Sequence, residues 1–174
     1  MPEITYQNKR YRRVGAKWVD ASYMVVHESL QQILNDLYIE TVDFSAYSIE
    51  ALIEEGDKFK ESGSHRAAIA FYEKAVYECD IETIRYVLPR ITACYRRAHM
   101  AEKAIDLFVF AKAKFGRAYL SSALLTSVAA AYCDLMEYEN ALKCCKRAYA
   151  MGDGRHDPEL YAVFGRIKKE SGLE

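Results

Sequence analysis

The sequence predicts an all-α protein of stacked antiparallel helix pairs, preceded by a short β-rich extension. Three observations lead there. One pattern of small and large residues recurs three times: Leu52, Gly56, Phe59, Ala68, Tyr72, Ala75; then Leu88, Ile91, Tyr95, Ala104, Phe108, Ala111; then Leu125, Ala129, Tyr132, Ala141, Cys145, Ala148. The anchor alanines Ala68, Ala104 and Ala141 lie 36 and then 37 residues apart. Each unit reads as two amphipathic helices joined by a short turn, and such a pair leaves an apolar face that only a neighbour can cover. Residues 3–26 stand apart from this pattern in being rich in strand formers.

In chain order, residues 1–47 form an extension and residues 48–174 a helical repeat domain. Ile4, Tyr6, Tyr11, Val14, Trp18, Val19, Tyr23, Val25 and Val26 favour strands, with turn signals at Asn8-Lys9 and Gly15-Ala16. A hairpin or three-stranded meander is predicted over 3–26. A ribbon of that size is stable only when packed on something else. The basic run Lys9-Arg10-Tyr11-Arg12-Arg13 reads as a charged edge that discourages strand pairing between molecules. A nucleic-acid contact fits less well, because alternate residues point to opposite faces of a strand. Leu30, Ile33, Leu34 and Leu37 predict a helix over 28–38, and 39–47 is a lead-in.

The repeats divide as 48–80, 81–116 and 117–153, followed by a capping helix over 157–171. Ser48, Ser64 and Asp80 stand where helix amino termini need a side-chain acceptor. Gly116 and Gly152 stand where helix ends favour left-handed backbone. Asp157-Pro158-Glu159 joins a capping carboxylate, a proline in the first turn and an acid at the positive dipole end. Pro89 falls inside the helix expected over 81–97. Interior proline removes a backbone bond, so either the helix kinks there or it begins near Pro89. The spacing of Ile84, Val87 and Leu88 favours the kink.

The recurring positions resemble the tetratricopeptide repeat family over roughly residues 49–151. In that family a small residue on the first helix lets the second approach, an aromatic follows three residues later, and two alanines flank an aromatic on the second helix. Gly56, Phe59, Ala68, Tyr72 and Ala75 fill those places in the first unit. Thr92 takes the small place in the second unit and Cys145 the last aromatic place in the third. The spacing exceeds the usual 34 residues, and Asp80 and Gly116 stand where a closing proline is common. The resemblance implies a right-handed α-superhelix whose first helices line a concave groove. The function it implies is a non-enzymatic protein–protein interaction scaffold, with no cofactor. Two other readings are a secretion-type chaperone and a self-associating structural subunit.

Composition narrows the classes. A hydrophobic fraction of 51% argues against disorder, and a net charge of −1 against a general nucleic-acid binder. No run of eighteen apolar residues occurs, so no membrane span is expected. The start lacks the basic-then-apolar layout of a signal peptide. Five cysteines without paired spacing read as reduced thiols of a cytoplasmic protein. No phosphate loop, nucleophile elbow or zinc motif is present. The histidines are dispersed and offer no metal site. The expected partner is a protein or peptide, and the expected state a monomer or homodimer.

The resemblance assigns the inward residues. In the first unit these include Glu54 and Asp57, beside Glu50, Ile53 and Glu61. The second supplies Tyr86, Arg90, Ala93, Arg96 and Arg97. The third supplies Ala123, Thr126, Ser127, Ala130 and Asp134, and the last helix adds Glu159, Ala162 and Arg166. Arg90 and Arg97 lie seven residues apart on one helix face and suit paired hydrogen bonds to a carboxylate. The family's chaperone-tail binders use a lysine-and-asparagine clamp; the asparagines are missing here, so that ligand is not implied. The basic residues Lys9, Arg10, Arg12, Arg13 and Lys17 complement the acidic first repeat. They predict that the extension folds back on that repeat as its cap; the other possibility is a swap onto a second molecule.

Overall fold

The computed structural model describes residues 2–172. It divides into two compact units, Met1–Glu78 and Cys79–Glu174.

The first unit opens with strands β1 (Glu3–Tyr6), β2 (Lys9–Val14) and β3 (Lys17–Val19). They form one antiparallel sheet in the order β1-β2-β3, with Ile4 opposite Tyr11 and Arg13 opposite Trp18. The first turn is Gln7-Asn8, one residue earlier than expected, and both residues have positive φ. Two such residues match the right-handed twist of a two-residue hairpin. The basic run is therefore not an edge. β2 is the central strand, and the alternation sends Tyr11 and Arg13 inward while Arg10 and Arg12 face solvent.

Helix α1 (Glu28–Thr41) covers the inner face of this sheet. Its buried face is Gln31, Leu34, Asn35 and Tyr38, whereas Ile33 is exposed. The helical spacing of leucines and isoleucine pointed to a neighbouring face. The shift has a cause in hydrogen bonding. The Gln31 carboxamide accepts from Trp18 N and donates to Trp18 O, each at 2.8 Å. Asn35 accepts from the Trp18 indole at 2.8 Å and donates to the Ser64 hydroxyl at 2.9 Å. Buried amides that find hydrogen-bond partners cost little, and here they join the extension to the first repeat.

After a 3-10 turn at Phe44–Ala46 come α2 (Ile49–Glu61) and α3 (His65–Glu78). Ser48 accepts from Ala51 N, as expected of its cap position. Ser64 stands at the start of α3, where its carbonyl accepts from Ala68 N at 3.0 Å and its hydroxyl is taken up by Asn35. Gly56 is the small place: a Cβ there would lie 2.6 Å from the Tyr72 ring. Phe59, Ala68, Tyr72 and Ala75 are fully buried.

Arg13 of the extension pairs with an acid of the first repeat. Its Nη1 lies 2.8 Å from Glu55 Oε2. The guanidinium sits 4.2 Å from the Phe59 ring centre and 5.0 Å from that of Tyr38, a cation–π geometry. Burial works against the Glu55 charge, but Lys58 and Arg13 outweigh it and hold the carboxyl below the usual range. Arg12 pairs instead with Glu3 at 2.7 Å. The extension thus packs on the first repeat of its own chain.

The second unit contains α4 (Ile81–Arg97), α5 (Ala101–Phe115), α6 (Ser122–Asp134), α7 (Tyr138–Ala150), a 3-10 turn at Asp153–His156 and α8 (Pro158–Ser171). α4 packs on α5 and α6, and α6 packs on α7 and α8. Asp80, Ser121 and Asp157 accept from helix-start amides. Gly116 and Gly152 have positive φ, 65° and 85°, which glycine adopts readily, but their ψ of −115° and −55° lie outside the left-handed helical region expected for them. The repeat anchors Leu88, Ile91, Ala104, Ala111, Leu125, Ala129, Ala141, Cys145 and Ala148 are all fully buried. α4 begins at Ile81 and continues through Pro89. Arg90 Nη1 donates to the Tyr86 carbonyl at 2.8 Å, one turn back along the same helix. Among the described residues no helix is long and apolar enough to cross a membrane.

Candidate partner-binding site

The first helices of successive pairs in the second unit, α4, α6 and α8, bring small residues to one place. Ala93, Ala130 and Ala162 come from one helix each, with Thr126, Ser127 and Val163 beside them, and together they line a cavity of about 300 Å³. Arg96, Arg97, Glu159 and Arg166 form its charged margin. Alanine suits these places because a longer side chain on any of the three helices would fill the space. The same three arginines also border an adjoining cavity of about 620 Å³, with His99, Ala101, Glu102, Asp134 and Leu135.

The arginines are not equivalent. Asp134 binds two of them. Arg96 Nε donates to its Oδ2 at 2.7 Å, and Arg166 Nη1 donates to its Oδ1. Arg166 also reaches Glu170 through Nε at 3.0 Å and the Cys133 carbonyl through Nη2 at 3.2 Å. Its fork is thus committed to α6 and α8. Burial opposes the Asp134 charge, but the two guanidinium groups prevail and hold the carboxyl below its ordinary range. Hydrogen bonding to Asp134 raises Arg166 in turn, against a smaller effect of burial. Arg97 is exposed and makes no hydrogen bond or ion pair among the described residues. At the far end of the cavity the Thr126 hydroxyl donates to Asp157 at 3.2 Å, tying α6 to the cap of α8.

The residues singled out from sequence fall into three groups. Ala93, Arg97, Ser127, Ala130 and Arg166 line the first cavity, and Asp134 lines the adjoining one. Tyr86, Arg90 and Ala123 line neither. Arg90 lies back along its own helix, its guanidinium carbon 3.4 Å from the centre of the Tyr86 ring. Glu54 and Asp57 belong to the amino-terminal unit. Glu54 pairs with Lys58 at 2.8 Å, and Asp57 accepts from the Tyr72 hydroxyl at 2.5 Å. Sequence reasoning missed Val163, which spacing assigns to the buried stripe of α8, and the role of Asp134 as a shared acceptor. Two arginines bracketing one acid on successive first helices is a signal that repeat alignment makes visible.

Paired helices carrying the small-and-large code around a cavity lined by their first members define a tetratricopeptide-repeat fold. Among solved structures, the chain is similar to the Sgt2 TPR domain from Aspergillus fumigatus, with a TM-score of 0.59 at 19% identity; the match covers 70% of this chain and 78% of that one. It is also similar to MamA of MSR-1, with a TM-score of 0.56 at 13% identity, covering 83% of this chain and 77% of that one. No protein-family model matches the sequence, and no curated protein matches it.

Proposed function

We propose that this chain is a non-enzymatic scaffold for protein–protein interaction, and that the cavity between α4, α6 and α8 receives a segment of a partner protein. The observation that carries this reading is the pairing of an unengaged cation with unfilled space. Arg97 borders a cavity of about 300 Å³ that three alanines leave open. A partner side chain entering that space is removed from water, at roughly 25 cal/mol per Å² of apolar surface. A neighbouring carboxylate of the partner accepts from the Arg97 fork, a charge-assisted bond of the stronger kind. Arg96 and Arg166 are held in place by Asp134, so little side-chain order is lost on binding, and that limits the entropic cost. The likeness to a tetratricopeptide-repeat domain supports the same class of function.

The test is affinity capture with the full chain, its Arg90→Ala/Arg97→Ala variant and a cavity-filling Ala130→Leu variant. The proposal expects one partner to be lost with both variants while their folding, checked by circular dichroism, is retained. Identical captures by all three proteins contradict it.

A further inference from the structure

A second concentration of positive charge in the carboxy-terminal unit lacks the counterions found around α4. Phe108, Lys112 and Gly116 of α5 and its end, Arg117, Tyr119 and Leu120 of the connection to α6, and Arg147 of α7 line a cavity of about 270 Å³. Among the described residues no acidic side chain lines it. The charged groups of Lys112, Arg117 and Arg147 make no ion pair or hydrogen bond among the described residues. Around α4, by contrast, Asp134 binds two arginines at hydrogen-bond distance.

The other walls are apolar and fixed. Tyr119 is fully buried and meets Phe108 edge to face, with ring centres 6.0 Å apart. Burial pushes the Tyr119 hydroxyl up, and Arg147 pulls it back toward its anionic form, so Arg147 already favours negative charge at this place. Three like charges around one small cavity repel each other, and an apolar wall strengthens electrostatic interaction relative to open water. One carboxylate leaves two of the charges uncompensated. A tetrahedral dianion brings more charge and more acceptor oxygens, and the two guanidinium forks match its geometry.

We propose that this cavity binds a phosphate group, as the dianion of inorganic phosphate or of a small phosphate monoester. The site is independent of the partner-binding cavity and stands or falls without it. Calorimetric titration of the full chain with inorganic phosphate, phenyl phosphate and acetate, at ionic strength held constant with chloride, tests the assignment. Saturable phosphate binding is expected, weakened about tenfold or more by Arg117→Gln or Arg147→Gln as a charge-assisted contact is lost. Arg97→Gln is expected to leave it unchanged. These side chains are exposed, so the variants should fold, and circular dichroism checks that they do. Tighter binding of phenyl phosphate than of inorganic phosphate identifies an organic monoester using the Phe108 and Leu120 wall; equal binding identifies free phosphate. The proposal is overturned if phosphate gives no saturable heat, if acetate binds equally well, or if both glutamine variants bind phosphate like the parent.

Discussion

Arg13–Glu55 in the amino-terminal unit and Arg96–Asp134 in the carboxy-terminal unit have nearly the same separation, 2.8 and 2.7 Å. Their surroundings differ. The Arg13 side chain is 5% exposed and lies against two aromatic rings, whereas those of Arg96 and Asp134 are each 27% exposed beside a cavity. Removing one member of a buried pair strands the other charge in a poor solvent, whereas a half-exposed charge that loses its partner turns to water. The comparison teaches that similar contacts serve different ends here. The first joins the non-repeat extension to the first repeat; the second sets side chains around an open space.

The largest expected effect lies on the buried side. Glu55→Ala should cost about 3–5 kcal/mol in urea unfolding, because the Arg13 side chain, 5% exposed, remains buried without its anion. Replacing both, as Arg13→Met with Glu55→Leu, should recover most of that loss. A double variant as unstable as Glu55→Ala would mean that the acid itself, rather than the stranded cation, decides stability. Next comes Gly56→Val. Its side chain meets the Tyr72 ring, and overpacking of this kind costs about 1–3 kcal/mol, measurable by the same denaturation; an unchanged midpoint would remove the small-place argument.

Thr92→Val should act in the opposite direction. The Thr92 hydroxyl is buried without a hydrogen-bond partner among the described residues, so a methyl group of similar shape should raise stability by about 1 kcal/mol. Arg96→Ala, on the open side, should move the urea midpoint by less than about 1 kcal/mol, since screening discounts a pair this exposed. A loss as large as that of Glu55→Ala would erase the contrast between the two units.

Acid separates the pairs more finely. Glu55 and Asp134 both titrate below their ordinary values in the folded chain. Their contribution is therefore complete above the unfolded carboxylate range, near pH 4. It is lost as pH falls through the lowered folded values. Glu55→Gln and Asp134→Asn should each flatten this acid limb, with the larger change in Glu55→Gln, the more buried of the two. Melting curves between about pH 2 and 6 read both, and an unchanged limb in Glu55→Gln would contradict the assignment.

The repeats were legible because close helix approach demands a size code. Gly56 against Tyr72, and the buried alanines Ala68, Ala104 and Ala141, can be read without knowing any partner. The caps were legible for the same local reason: Ser48, Asp80 and Asp157 each serve an amide within three residues. What stayed hidden depends on contacts distant in sequence. Gln31 and Asn35 look like surface residues until Trp18 is brought to them. Arg13 reads as one of five similar cations until strand alternation is combined with Glu55. The cavity residues were mostly named from the resemblance, but Asp134 engaging Arg96 and Arg166, and Arg90 lying on Tyr86, needed coordinates. Nothing in the local sequence fixes which of several long side chains meets a given acid.

The scaffold reading rests on Arg97 serving a partner rather than the fold. The most direct measurement is quantitative capture of binding proteins by the parent chain and by Arg97→Ala alone, at matched melting temperatures. The account predicts that at least one protein held by the parent is depleted about tenfold or more in the variant, the scale of one lost charge-assisted contact. An unchanged set of captured proteins, with both chains folded, contradicts it.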